Sequence, residues 1–300
     1  MLRATFRTAL AHKGRLALSV LAVVLGVAFV AGTYVFTDTL QRTFTDLFDT
    51  VQPDVAVSAG GEADVGVAAT LPGDTVDFVA GVDGVATSSG AVQTTGVTLI
   101  DGDGAPVGRG GPPTLGVGWD DEPEISPLRL IDCRAPSSDA EIALDSESFE
   151  TGGFSLGDTV RVLTPGPSVD AELVGVFLFG TSGTLAGATL TAFDMATAQD
   201  LLLGGNRWTS VLAVGEDGVS QDELADRVEA AFAEQPERVP VLVQTGQEVQ
   251  DESAAAITEG LGFISTFLLV FAGVALFVGA FIIVNTFGVL ICLLYTSPSP

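Results

Sequence analysis

The chain has 300 residues, 47% of them hydrophobic, and a mean hydropathy of +0.47, values that point to a membrane protein rather than an ordinary soluble domain. All 38 acidic residues lie between Asp38 and Glu259, while four of the 12 basic residues lie in the first fifteen positions, leaving residues 37–259 with 38 acids against 8 bases, a net of −30. So acidic a surface repels nucleic acid and anionic headgroups, which argues against nucleic-acid binding or membrane coating.

Residues 1–15 are a basic, amphipathic leader carrying Arg3, Arg7, Lys13 and Arg15, with His12 as the sole histidine of the chain. Residues 16–36, LALSVLAVVLGVAFVAGTYVF, hold no charge. At about 1.5 Å per residue, such a helix covers a hydrocarbon core roughly 30 Å thick. The run exceeds the usual length of a signal-peptide apolar region and lacks a clear A-x-A site, so a retained transmembrane helix is favoured over a cleaved leader. The basic flank places the N-terminus in the cytoplasm and residues 37–259 outside it.

Beyond the first span Phe36, Leu40, Phe44, Leu47, Phe48 and Val51 recur at spacings of three and four, with Asp38, Arg42, Asp46 and Asp49 between them. This is an amphipathic pattern, and it predicts a stalk helix over 37–51 that projects roughly 20 Å beyond the membrane.

Residues 52–244 read as an α+β extracytoplasmic domain. Strand patterns fall at Asp54–Val57, Val92–Ile100, Thr159–Leu163, Ala171–Phe179 and Val239–Val243. Helices are expected at Thr191–Leu203 and Gln221–Glu234, the latter opened by Ser220 and Glu223 as a capping box, with Leu224, Val228 and Phe232 on one face. DGDG at 101–104 and PGP at 165–167 are turn signals, and the Gly/Pro-rich stretches 58–74 and 102–118 read as loops.

A second stalk follows at 245–259, opened by a Thr245/Glu248 capping box and continued by Val249 and Ile257, with Leu261 on the same face. A second span covers 260–291, with its most apolar part from Phe263 to Val284. Small residues four apart, Ala22/Gly26, Ala28/Gly32 and Ala275/Gly279, permit close helix packing. Neither core span carries a charge, so these two helices alone give no support to a proton relay.

The residues offer no chemistry of their own. The middle domain contains neither histidine nor lysine, so neither a Ser-His nor a Ser-Lys hydrolase, nor a His-ligated zinc site, can be built within it. Asp101 and Asp103 resemble the start of a calcium loop without its downstream ligands and read as a turn. Asp120, Asp121, Glu122 and Glu124 read as a solvated acidic loop. Cys133 and Cys292 fall on opposite sides of the second span, and no metal-binding cysteine spacing exists. Lys13, the only lysine, has no phosphate-loop motif around it. The expectation is therefore no catalytic residue, no cofactor and no metal, and any ATP used is hydrolysed by another polypeptide.

The leader and first span, AHKGRLALSVLAVVLGVAFVAGTYVFTDTLQRTF, resemble the N-terminus of FtsX-like, MacB-type ABC transporter permeases. So do ELVGVFLFGTSGTLAGATLTAFDMATAQDLL (172–203) and FLLVFAGVALFVGAFIIVNTF (267–287). The likeness covers nearly all of residues 1–291. It implies a multi-pass plasma (inner) membrane permease whose extracytoplasmic domain, like the MacB periplasmic core, lies between two transmembrane helices extended as stalks. It also implies a separate ABC ATPase subunit, a second permease copy or half, and mechanotransmission: ATP-driven motion carried up the stalks to export or extract a hydrophobic or lipid-like substrate, or to signal. After its NTF segment the family continues into a charged cytoplasmic stretch; here the chain runs CLLYTSPSP, and residues 292–300 are expected to be a non-native tail of a fragment. The competing reading is a two-span, membrane-anchored sensory, binding or scaffold protein without an ATPase.

Overall fold

The computed structural model describes residues 53–60, 69–108, 113–180 and 187–253, with scattered helical positions within 24–35 and 255–288. Two compact units are present: Phe44–Ser253 is one, and Met1–Thr43 with Ala254–Pro300 is the other. In the second of these, the rings of Phe29 and Phe271 lie 6.1 Å apart. Among the described residues no helix is long and apolar enough to cross a membrane. Most of the expected spans 16–36 and 260–291, the stalk 37–51 and the tail 292–300 lie outside the described residues.

The unit Phe44–Ser253 opens with β1 (Val55–Ala59), β2 (Leu71–Pro72), α1 (Thr75–Ala80) and β3 (Val85–Ala91). Eight strands and two helices follow: β4 (Gln93–Thr95), β5 (Thr98–Ile100), β6 (Thr114–Gly118), β7 (Leu128–Cys133), β8 (Glu141–Asp145), α2 (Ser146–Gly152), β9 (Thr159–Leu163), β10 (Val169–Phe179), β11 (Thr189–Phe193) and α3 (Met195–Leu203). The chain then returns through β12 (Arg207–Trp208), β13 (Ser210–Gly215), α4 (Gln221–Ala233) and β14 (Val241–Thr245).

The first and last groups build one lobe. Its sheet has the order β14–β1–β13–β3, antiparallel throughout, with α1 and α4 packed on one face. Two βαβ halves interleaved in that order make a split βαβ, ferredoxin-like arrangement. Its core follows from period: Val55 and Val57 alternate inward from β1, Val211 and Ala213 from β13, and Leu224, Val228 and Phe232 form a four-residue stripe on α4. Each Val, Leu or Phe among these, fully buried, contributes about 1.5–3 kcal/mol of transfer free energy.

In a plain split βαβ fold, β3 and β13 would be joined as a hairpin. Here they pair with Ala91 opposite Ser210, and residues 92–209 leave and return between them as a second lobe. Thr209 closes the neck: its backbone N–H and its hydroxyl both donate to the Ala91 carbonyl (2.9 and 2.8 Å), and its Oγ1 accepts from the Gln93 N–H at 3.1 Å. Trp208 lies over Gly90, where any β-carbon would sit 2.3 Å from the indole, and its Nε1 donates to the Gly73 carbonyl.

The second lobe is a sheet of order β4–β6–β11–β8–β10–β9–β5. Its end strands β4 and β5 are consecutive in sequence, so the sheet curls until its ends meet at Gly96, which takes φ +86. Long β10 pairs β8 along one edge; along the other it pairs first β9 and then β7. Both faces are buried, which explains why β8 and β11 are buried along nearly every residue rather than at alternate ones. Ile142, Leu144, Val160, Val162, Leu173 and Phe193 fill one side. Leu115, Val117, Trp119, Phe177 and Leu190 fill the other, with Trp119 edge-on to Phe177 at 5.8 Å.

Several sequence expectations shift. The helix expected from Thr191 begins only at Met195: Thr191–Phe193 is the end of β11, a β-branched and aromatic stretch, and Asp194 caps the helix by accepting from the Thr197 N–H. The single run Val92–Ile100 is two strands broken at Gly96. Pro240 delays the last strand to Val241–Thr245. The stretch 102–118, read as a loop, ends in β6, a buried strand whose glycines leave room for neighbouring side chains: a β-carbon at Gly116 would sit 2.6 Å from Val97, and one at Gly118 would sit 2.5 Å from Met195.

Candidate functional site

The densest hydrogen-bond cluster that joins distant parts of the chain gathers where it enters and leaves the first lobe. Val55, at the start of β1, lies opposite Thr245, the end of β14, and the ladder runs on to Ala59 opposite Val241. Entrance and exit are thus side by side. Asp54 ties them to the rest of the lobe: Oδ2 accepts from the Gly215 N–H (2.8 Å), Oδ1 accepts from Gln221 Nε2 (3.2 Å), and the Asp54 carbonyl accepts from the Gly246 N–H (2.9 Å). Gln221 Oε1 in turn accepts from the Gln247 N–H at 3.3 Å.

From there residues 246–253 are helical. Its start is the reciprocal cap foreseen from Thr245 and Glu248: the Glu248 N–H donates to Thr245 Oγ1 (3.1 Å), and Glu248 Oε2 accepts from the Thr245 N–H (2.9 Å). Gln247–Asp251 and Gln244–Glu252 hydrogen bonds continue along the same helix. At α4 the box is one-sided: Ser220 Oγ accepts from the Glu223 N–H, but the Glu223 carboxylate turns to Arg227. β1 is joined at its first residue and β14 at its last, so both connections reach the lobe at the same end of the β1–β14 ladder.

The acidic residues singled out from sequence serve the loops that hold them. Asp101 Oδ1 accepts from the backbone N–H groups of Asp103 and Ala105, which fixes the DGDG turn. Asp120 accepts from the Glu122 N–H and from Ser89 Oγ, a bond from the second lobe to β3 of the first. Asp121 accepts from Trp119 Nε1 at 2.7 Å. A shallow cleft at the neck is bordered by Gly90, Gln93, Asp120, Ser126, Phe179 and Leu212. Among the described residues no three His, Cys, Asp or Glu side chains converge as a metal site. Cys133 is exposed and unbridged. Sequence reasoning missed Asp54 as a keystone and Gly246 as a close contact; the only available signal was their position, flanking a strand and a cap.

One surface carboxylate is strongly perturbed. Arg134 grips Glu141 in a fork (2.6 and 2.7 Å), while the Ser137 N–H and hydroxyl each donate to it at 3.0 Å. The Arg134 bonds, followed by the Ser137 N–H, hold the Glu141 carboxyl down at about 2, from an ordinary 4.5. A pKa depressed by folding adds stability above the unfolded value, and that stability is lost as pH falls from about 4.5 through about 2. The expected result is that Glu141→Gln flattens the acid limb of the unfolding midpoint in that window. An unchanged acid limb in the variant would refute the assignment.

A split βαβ lobe, held by both chain connections at one end and carrying a large curled-sheet lobe in its hairpin, defines a two-lobed α+β domain. The model of the MacB-like periplasmic core domain matches residues 16–231, and the chain belongs to that family. This bears out the resemblance to MacB-type ABC transporter permeases read from the sequence. Similar solved structures include the periplasmic region of MacB from Actinobacillus actinomycetemcomitans, at 11% identity and a TM-score of 0.48, covering 67% of this chain and 93% of that one. The extracellular domain of the noncanonic ABC-type transporter YknZ from Gram-positive bacteria is similar at 13% identity and a TM-score of 0.46, covering 64% and 99%. No curated protein matches.

Proposed function

We propose that the chain is the membrane permease part of an ABC transporter, with spans at 16–36 and 260–291, a cytoplasmic N-terminus and residues 37–259 outside. The observation that carries this is the family match: it begins at residue 16, at the first apolar run, and continues through the folded domain. The paired connections at Asp54 and Gly246 support a mechanical role. Motion of the two stalks in concert reaches the domain through β1, β14 and the capped helix at 246–253. The chain is not itself an enzyme in this reading. A separate ABC ATPase supplies the energy, a second permease copy completes the complex, and the output is movement or extraction of a hydrophobic or lipid-like substrate, or a signal.

Mild detergent extraction of the protein from its native membrane tests this. A nucleotide-binding subunit with ATPase activity is expected to co-purify. Recovery of the permease chain without any ATPase would overturn the proposal in favour of a two-span sensory or binding protein.

A further inference from the structure

The strand β7 pairs with β10 along one side only; among the described residues nothing pairs with its other side. Leu130 and Ile131 are 39% and 50% exposed, and every residue from Arg129 to Cys133 is open to solvent. An edge of this kind is a template for another strand. Its sequence, Leu128-Arg-Leu-Ile-Asp-Cys133, is self-complementary when read antiparallel. In the register that sets Leu130 against Ile131 of a second copy, Arg129 falls opposite Asp132 and Leu128 opposite Cys133. Neither Arg129 nor Asp132 takes part in a salt bridge among the described residues, whereas Arg134, Arg161, Arg227 and Arg238 all do.

We propose that β7 is a homotypic docking edge, on which β7 of a second copy of this chain adds antiparallel, with Arg129 paired to Asp132 across the two-fold axis. Charge selects the occupant. The chain carries a net −26, so most self-contacts meet like-charge repulsion, but β7 holds one cation and one anion and is locally neutral. A basic partner would be steered to the acidic surface instead. Opposite-charge and aliphatic cross-strand pairs each add roughly 0.2–1 kcal/mol. Ile131 is an extra residue in the β7–β10 ladder, and such a bulge limits regular edge pairing. A six-residue edge also falls below the roughly 1,200 Å² that stable free complexes bury. The pairing is therefore weak in free solution and gains from the high effective concentration of copies held in one complex. That last point rests on the permease reading; the register does not.

Cys133 is exposed and free, a natural site for a spin label. In this register the two Cys133 positions lie five residues apart along neighbouring strands; an unbroken ladder would set their α-carbons about 18 Å apart, from a rise near 3.4 Å and a strand spacing near 4.8 Å, and the extra residue at Ile131 with the left-handed backbone of Cys133 (φ +58) shortens that separation. Full-length protein bearing Cys292→Ser, labelled at Cys133 and placed in lipid vesicles, is expected to show a short inter-label distance by pulsed dipolar spectroscopy, at most that separation plus the reach of the two label arms. Arg129→Asp and Asp132→Arg should each abolish it, and the double exchange should restore it, with circular dichroism showing all three variants folded. Absence of coupling in the parent protein, a longer distance, or one indifferent to the single exchanges would overturn the proposal, and so would failure of the double exchange to restore it. ATPase co-purification reads out the permease assignment separately.

Discussion

Asp145→Ala is expected to lower the stability of the two-lobed domain by about 2–4 kcal/mol, from the loss of a helix cap together with the orphaning of a buried donor. Asp145 is fully buried, yet its carboxylate is completely engaged. Oδ1 accepts from the N–H groups of Glu147 and Ser148, both at 3.0 Å, which caps α2; Oδ2 accepts from the Ser148 hydroxyl and from the Leu190 N–H at 2.8 Å. One side chain therefore joins the end of β8, the start of α2 and the buried strand β11. Alanine removes all four acceptor contacts and leaves the Leu190 N–H without its partner in the core. Asparagine separates the terms: it retains the capping oxygen, worth about 1 kcal/mol, but turns a donor toward the Leu190 N–H. Asp145→Asn should therefore recover only part of the loss. Both tryptophans, Trp119 and Trp208, lie in this domain, so intrinsic fluorescence reports its unfolding directly. For a unit of about this size the alanine variant should melt about 5–12 °C lower. A shift below 2 °C would show that the buried carboxylate does not hold these elements together.

Asp145 was invisible in the sequence, and the reason generalises. What was legible rests on neighbours in the chain: β9, where Thr159–Leu163 alternates outward and inward; α4, with its Ser220 cap and stripe of Leu224, Val228 and Phe232; and the reciprocal Thr245/Glu248 cap. What was not legible rests on partners far away. The glycines of β6 look like loop composition until Val97 and Met195 are known to lie against them. β11 merges with α3 in the sequence because Asp194, not any change of hydrophobicity, divides them. The split βαβ order cannot be read locally at all, since β3 and β13 are separated by the entire second lobe. The family resemblance carried the permease expectation. The clasp that would serve it, at Asp54 and Gly246, depends on contacts between residues nearly two hundred positions apart.

Gly246→Ala tests that clasp, because two physical effects predict opposite signs. Gly246 opens the helix at 246–253, and by propensity alone alanine in a helix is favoured over glycine by roughly 0.5–1 kcal/mol. A β-carbon at this position would instead sit 2.3 Å from the Pro53 carbonyl oxygen. The obstacle is backbone, so no side-chain rotation relieves it; either the strand entrance or the helix start must move. Overpacking of this kind typically costs about 1–3 kcal/mol, which outweighs the propensity gain, and helix propensity counts for less still in a first turn fixed by the Thr245/Glu248 box. Net destabilisation of about 1–2 kcal/mol is therefore expected. The displacement also falls on the Gly246 N–H to Asp54 carbonyl bond and on the Gln247 N–H to Gln221 bond, which tie the exit of the chain to its entrance. Faster hydrogen exchange should follow at Gly246, at Gln247 and along the β1–β14 ladder, while β9 and β10 in the second lobe stay protected. On the proposed permease reading, the same variant in a reconstituted complex should retain ATPase binding but lose the coupling of hydrolysis to work outside the membrane. Stabilisation by the alanine would show that Pro53 and Gly246 are not held in contact, leaving the β1–β14 ladder as the tie between the entrance and exit of the domain.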